Sequence, residues 1–254
     1  MSRETFDLLV WAWIAIGVAA FVLLQFVAAP YGRHAGEGWG PRVPNRAGWV
    51  VMEATVLFSL AATFLALGGR VDELSTAAGA MVVLFAVHYV NRSFIYPLRT
   101  RTKGKTIPLA TVAASIAFNG VNGFFLGHWF ARFADYPDDW LTDPRFLVGL
   151  ALFVGGMALN WQSDQILIHL RAPGETGYKV PRGGAFRWVS SPNLLGEIIE
   201  WAGFAIMAWC LPAVAFVVWT LANLVPRAIR NHRWYHDKFP DYPPERRALV
   251  PYLF

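Results

Sequence analysis

Glu53, Glu197 and Glu200 lie inside stretches that otherwise read as lipid-embedded helices. An acid at the centre of a membrane helix costs about 2.5–3.5 kcal/mol on insertion scales unless it is paired, hydrated or protonated, so three of them mark a site. Trp49 and Glu53 are one turn apart on one helical face, with no other charge between Ala47 and Gly68. A buried carboxyl without a local cation is expected to keep its proton and to donate a hydrogen bond at neutral pH. Further along, His88, Tyr89 and Arg92 end another apolar stretch, and Tyr89 offers a second donor at similar depth.

Helical spacing sorts the remaining polar residues into stripes. Asn193, Glu197, Glu200 and Trp201 recur at i, i+4, i+7 and i+8, and Asn160, Ser163, Asp164 and Leu167 share a face just ahead of Arg171. Arg227, Arg230, Asn231, Trp234 and Tyr235 form a third stripe if the last helix continues beyond Ile229. Any one stripe would serve equally well to tie helices together by hydrogen bonds, the reading given to Asn119 and Asn122; three that converge on one side favour a cavity. No GxGxxG follows a strand and no GxxxxGK[ST] is present, so a nucleotide would not be held by either standard glycine loop, and Gly183-Gly184 reads as a turn. His232 and His236 have helical i, i+4 spacing but no third ligand, so no metal site is expected.

The elements that must position these residues are membrane helices. Of 254 residues, 56% are hydrophobic and only 15% charged, against about 25% charged in soluble domains. Cys210 is the single cysteine, which excludes a disulfide framework. With about 20 apolar residues per crossing, the candidate spans are Phe6–Ala29, Trp49–Leu67, Thr76–Tyr96, Ile107–Phe130 and Arg145–Leu167, then one run from Leu194 to Ile229. The first is too long for a signal-peptide core and is read as a retained span. The last is too long for one crossing; Pro212 divides it into a helix ending near Cys210 and another starting at Pro212. The expected fold is thus all-α, a single integral membrane domain over residues 1–254 with seven transmembrane helices.

Charges between the spans alternate. The connections after spans one, three, five and seven are basic, with Arg99, Arg101, Lys103 and Lys105 in one and Arg171, Lys179, Arg182 and Arg187 against Glu175 in another. Those after spans two and four are acidic, the latter with Asp135, Asp138, Asp139 and Asp143. The positive-inside rule then puts the amino terminus outside and the carboxyl terminus in the cytoplasm. The cationic face serves topology and anionic lipid, and its interleaved Asn, Tyr, Trp and His also suit a polyphosphate ligand arriving from the cytoplasm. Nothing points to nucleic acid.

Residues Asn223-Leu-Val-Pro-Arg-Ala-Ile-Arg-Asn-His-Arg-Trp-Tyr235, Lys238-Phe-Pro-Asp-Tyr-Pro243 and Arg247-Ala-Leu-Val-Pro251 closely resemble the carboxyl end of the steroid 5α-reductases. The resemblance extends to Asn160-Trp-Gln-Ser-Asp164, Arg171-Ala-Pro-Gly-Glu175, Tyr178-Lys-Val-Pro181 and Asn193-Leu-Leu-Gly-Glu-Ile-Ile-Glu-Trp201, and more thinly to Trp49–Glu53 and His88–Tyr96. It implies a seven-span enzyme that uses NADPH to reduce the Δ4 carbon–carbon double bond of a 3-oxo steroid. By the same resemblance, Glu53 and Tyr89 look like the catalytic pair that hydrogen-bonds the 3-oxo oxygen. Asn193 and Glu197 would hold the nicotinamide end. Asn160, Asp164, Arg171, Tyr178, Arg227 and Tyr235 would be further cofactor ligands, with Arg92, Arg101 and Lys103 near the phosphates. Lys179 and Lys103 stand where the mammalian pattern has Arg, Asn231 where it has His, and Met52 where it has Gln; Lys179 and Asn231 keep a cofactor-binding role, and Trp49 and Met52 a substrate-binding one. Residues 1–106 would then carry the steroid side and residues 107–254 the NADPH side.

The steroid is expected from the bilayer and the cofactor from the cytoplasm, with the chain a monomer in a bacterial inner membrane or, in a eukaryote, the endoplasmic reticulum. Other readings of the same pattern are a very-long-chain trans-2-enoyl-CoA reductase, an isoprenylcysteine-type methyltransferase using S-adenosylmethionine, and a lipid or ion carrier.

Overall fold

The computed structural model describes residues 1–254 apart from 28, 29, 31, 35–37, 103, 173 and 176, and of residue 33 the backbone alone. The helices are α1 (Arg3–Phe26), α2 (Asn45–Ala66), α3 (Thr76–Val90), α4 (Tyr96–Arg99), α5 (Leu109–Arg132), α6 (Pro144–His169), α7 (Pro192–Ala208) and α8 (Leu211–Lys238). A π-helical turn, Asn91–Ile95, joins α3 to α4 so that Thr76–Arg99 is one continuous apolar rod. Among the described residues, six elements, this rod included, are long and apolar enough to cross a membrane, the character of a multi-pass membrane protein. Helix α7 is shorter, at 17 residues.

The break in the long apolar run falls where Pro212 predicts it. Helix α7 ends at Ala208, Trp209 turns left-handed at φ 44°, and α8 begins at Leu211 with Pro212 in its first turn, where the missing N–H has no intrahelical partner to lose. Helix α8 does run past Ile229, to Lys238, so the third stripe is helical. One feature departs from an all-helical reading. Ile107, expected to open the fourth span, belongs to a strand instead: β1 (Arg42–Pro44) pairs antiparallel with β2 (Thr106–Pro108), Val43 opposite Ile107. A residue before proline is pushed to extended backbone, which favours strand over helix at Val43 and Ile107. The pairing sets the starts of α2 and α5 side by side.

Close backbone approach orders the helices. A Cβ on Gly149 of α6 would lie 2.5 Å from the Met207 nitrogen of α7, and one on Gly196 of α7 would lie 2.5 Å from the Asn160 nitrogen of α6. Gly156 and Gly203 complete the same antiparallel seam, seven residues from Gly149 and Gly196 respectively. The α2–α5 pair works likewise: Gly123 faces the Val56 carbonyl, and Ser59 Oγ donates to the Gly120 carbonyl at 2.6 Å. Lipid supplies no hydrophobic push between helices, so small residues and hydrogen bonds at the seams hold the bundle. Between α3, α6, α7 and α8 the core is aromatic, with Phe85, Tyr89, Phe153, Trp201, Phe204 and Phe216 in mutual contact.

The four basic connections meet at one end of this bundle. Besides the β1–β2 pair, Arg101 Nη1 donates to the Ala172 carbonyl at 2.8 Å, Ser190 N to the Arg247 carbonyl at 2.8 Å, and Arg230 Nη2 to the Gln25 carbonyl at 3.1 Å. At the opposite end the acidic connection between α5 and α6 is fastened to the end of α7, with Tyr136 OH donating to the Ala208 carbonyl and Trp140 Nε1 to that of Met207.

Candidate active site

Arg92 is the centre of a largely enclosed polar site in which its own side chain and those of Glu53 and Glu197 keep 14–17% of their surface exposed. It sits in the π-helical turn, a device that rotates side chains out of the α-helical register and recurs at functional sites. Trp49 Nε1 donates to the Arg92 carbonyl at 3.1 Å, and the guanidinium lies 4.9 Å from the Trp49 ring centre and 5.1 Å from that of Tyr96. Around it stand three carboxyl groups from three helices: Glu53 of α2 at 3.9 Å, Asp164 of α6 at 3.7 Å and Glu197 of α7 at 3.6 Å. All are beyond hydrogen-bond distance. The expectation that Glu53 has no local cation is therefore corrected: none lies near it on its own helix, but the π-turn brings Arg92 across to it from the next. One guanidinium does not balance the charge of three carboxylates at membrane depth.

Around this cluster the amides form a chain. Asn193 Nδ2 donates to Asp164 Oδ1 at 3.1 Å, and Asn160 Nδ2 donates to the Asn193 carbonyl at 2.9 Å. Glu197 Oε2 is buried and has no hydrogen-bond partner. An orphaned carboxyl oxygen of this kind is an acceptor waiting for a donor, and it suits the amide of a ligand. Tyr89 packs against Phe85 and Trp201, with ring centres 4.8 and 5.6 Å away. Beside it, His88 Nδ1 and Glu200 Oε1 are 2.8 Å apart and fully buried.

A cleft of about 490 Å³ opens between α3 and α6, walled by Val83, Val87, Val90 and Ile95 and lined also by Tyr96 and Asp164 of the cluster. Toward the basic end, the connection after α6 carries the exposed cations. Arg171 Nη1 donates to the Gly177 carbonyl at 2.9 Å, and Lys179 Nζ meets Glu175 at 2.6 Å, which holds the Glu175 carboxyl below its usual range. Tyr178 stands edge-on to Trp234 of α8 at 4.8 Å. Asn231 bridges His34 and Ser191, Tyr235 stacks on Tyr242 at 5.1 Å, and Arg227 lies against Gly32.

The model for the family described as 3-oxo-5-alpha-steroid 4-dehydrogenase matches residues 105–254. Across 256 residues the chain is 42% identical to 3-oxo-5-alpha-steroid 4-dehydrogenase 1 of Bos taurus, covering 99% of this chain and 98% of that protein. The steroid 5-alpha-reductase of Solanum lycopersicum is 39% identical over 260 residues, covering 100% and 98%, and 3-oxo-5-alpha-steroid 4-dehydrogenase 2 of Macaca fascicularis 42% identical over 243 residues, 93% of each. The chain belongs to the 3-oxo-5-alpha-steroid 4-dehydrogenase family.

In this member of the family, the structure brings Trp49, Glu53, Arg92, Asn160, Asp164, Asn193 and Glu197 to one place, where Asn160 and Asp164 are buried and the others partly so, with Tyr89 beside it. Arg101, Arg171, Tyr178 and Lys179 stand apart from these on exposed connections, and Arg92 is separated from Arg101, with which the resemblance groups it. Lys103 lies outside the described residues. Met52 faces away from the cluster: it packs with Ile107 and Val112, and its carbonyl accepts from Asn119 Nδ2 at 2.7 Å. Sequence reasoning missed Tyr96 beneath Arg92, although its i, i+4 spacing from Arg92 was a usable signal. It also missed the His88–Glu200 pair, for which a separation of 112 positions left none.

Proposed function

We propose that this chain reduces the Δ4 double bond of a 3-oxo steroid to the 5α-dihydro product, with NADPH as the reductant. The observation that carries the reading is the intramembrane cluster in which Glu53, Asp164 and Glu197 crowd one guanidinium beside Tyr89, joined to membership of a family named for this reaction. Glu197 Oε2, which has no hydrogen-bond partner, and Asn193 would hold the nicotinamide amide, while Arg101, Arg171 and Lys179 on the basic connections would meet phosphate charge. When bound, NADPH supplies the hydride for C5.

The residues of the chain do the rest. As electrons reach the enone, negative charge gathers on the 3-oxo oxygen, and donors aimed at that oxygen lower the barrier. Glu53 in its acid form and the Tyr89 hydroxyl are those donors; C4 takes its proton from water. Arg92 holds the carboxyls near one another without bonding directly to any of them, which leaves Glu53 free to turn its proton to the substrate. The steroid comes from the bilayer and the cofactor from the cytoplasm, onto a monomeric bundle of seven spans in which α7 is the sixth. Its amino terminus is outside and its carboxyl terminus cytoplasmic.

Purified protein in detergent should oxidise NADPH on addition of a Δ4-3-oxo steroid and yield the 5α-dihydro steroid by mass spectrometry. Turnover of an enoyl-CoA with none of a panel of such steroids would move the assignment to the fatty-acyl reductases.

A further inference from the structure

The proposed mechanism leaves a buried ionisable pair unused. His88 Nδ1 lies 2.8 Å from Glu200 Oε1, the two side chains are 2% and 0% exposed, and Glu200 Oε2 has no hydrogen-bond partner. A pair so placed carries a large desolvation cost, and replacing it with apolar residues commonly leaves a protein as stable or more so; such pairs are best attested as devices that fix register. We infer that His88 and Glu200 are positioning residues for Tyr89, locking the register of α3 against α7 so that the Tyr89 hydroxyl is held at the carbonyl site.

The placement of the pair supports this. His88 is adjacent to Tyr89 in α3, and Glu200 is adjacent to Trp201 in α7, whose ring is 5.6 Å from that of Tyr89 and 4.7 Å from that of His88. The hydrogen bond thus closes a small frame of two backbone steps and one ring contact around the phenol. The outer face of α3 offers nothing equivalent: Val83, Val87 and Val90 are exposed, and their side of the helix borders the cleft toward α6. Apolar contacts to Phe85, Phe204 and Phe216 tolerate sliding, because one ring packs nearly as well a fraction of a turn away. A 2.8 Å hydrogen bond does not. Helix α7 is a fixed partner for this purpose, since Gly196 and Gly203 seat it on α6. The bond therefore transfers the position of the Asn193–Glu197 stretch to the residue that touches the steroid.

This inference rests on the proposed reductase reading, and the test separates the two. Wild-type protein is assayed first with a Δ4-3-oxo steroid and NADPH; no turnover there ends the reductase reading itself. With wild type active, Glu200→Ala and His88→Leu should lose about tenfold to a hundredfold in kcat, with KM for NADPH within about threefold. The variants that keep the hydrogen bond, Glu200→Gln and His88→Asn, should stay within about threefold of wild type in kcat. The deciding measurement is the same set made in a Tyr89→Phe background: residues acting through the Tyr89 hydroxyl add little there, whereas a merely structural defect multiplies the loss. Steroid affinity without cofactor, read by tryptophan fluorescence, should weaken to a similar degree in Glu200→Ala and Tyr89→Phe. The inference is overturned if Glu200→Ala keeps full kcat, if Glu200→Gln is as impaired as Glu200→Ala, or if the losses multiply in the Tyr89→Phe background. Should Glu200→Ala fail to fold, His88→Leu, alone and combined with Tyr89→Phe, decides the same question.

Discussion

A single side chain, Arg92, gives the three acids different work. Trp49 and Tyr96 fix its guanidinium from two sides, and the carboxyls approach it at 3.6–3.9 Å without bonding. Glu53 is the one proposed to donate, so Glu53→Gln should lower kcat by about tenfold or more and Tyr89→Phe by about a hundredfold, in line with the loss of one donor at an oxyanion. Neither should move the NADPH dissociation constant by more than about threefold, whereas Arg171→Ala should raise it and spare kcat at saturation. Full activity in Glu53→Gln would end the donor role. Trp49 makes a second case: Trp49→Phe keeps a ring beneath the guanidinium and loses the bond to the Arg92 carbonyl, about 1 kcal/mol, while Trp49→Leu loses both, about 2–3 kcal/mol. Denaturation in detergent should rank them in that order, and equal stability of the two would deny the ring contact any weight. At this scale the residues of α2, α6 and α7 were legible from the sequence because each breaks an apolar helix. The position of Arg92 was not, because a π-turn changes where a side chain points without any signature in the residues 91–95 themselves.

Among the elements, the seam between α6 and α7 does the aligning. Gly149 and Gly156 on one helix and Gly196 and Gly203 on the other let the backbones touch, and the seam ends beside Asn160, whose amide holds the Asn193 carbonyl. A Cβ at Gly196 has nowhere to go, since both atoms it would meet first, Asn160 N and Gly156 O, are backbone. Gly196→Ala should therefore cost about 1–3 kcal/mol as an overpacked contact and should raise KM for NADPH by forcing Asn160 and Asn193 apart. Gly155→Ala is the control on the same stretch of helix, because a Cβ there meets nothing within 4 Å. It should be neutral or slightly stabilising in the same melts; if Gly196→Ala behaves as Gly155→Ala does, the seam is not what aligns the amides. The helices themselves were readable from apolar length, and the α7–α8 break from Pro212. The short β1–β2 pair was not, because three-residue strands fall below any periodicity and their only trace is the extended bias of Val43 and Ile107 before proline.

For the molecule as a whole, charge and connectivity constrain each other. Hydrogen bonds link the end of α1, the connection after α4, the connection after α6 and the tail after α8 into one cationic rim, while the acidic connection between α5 and α6 is fastened at the other end of the bundle. An anionic cofactor drawn to the rim and an apolar steroid drawn from lipid would then reach the Arg92 cluster from different phases, without competing for one path. That arrangement works only if the rim faces the compartment that holds the nucleotide. It is testable because Cys210 is the chain's single thiol and is buried, so introduced cysteines report cleanly. In sealed right-side-out vesicles, Asp138→Cys in the acidic connection should react with a membrane-impermeant maleimide at once, and Lys238→Cys at the end of α8 only after the membrane is opened. Inside-out vesicles should give the reverse. Labelling of both positions from the same side would require an even number of crossings between them, and labelling in the opposite sense would invert the orientation. Inversion, or labelling of both from the outside, would remove the cytoplasmic route to the rim on which the two-phase mechanism depends.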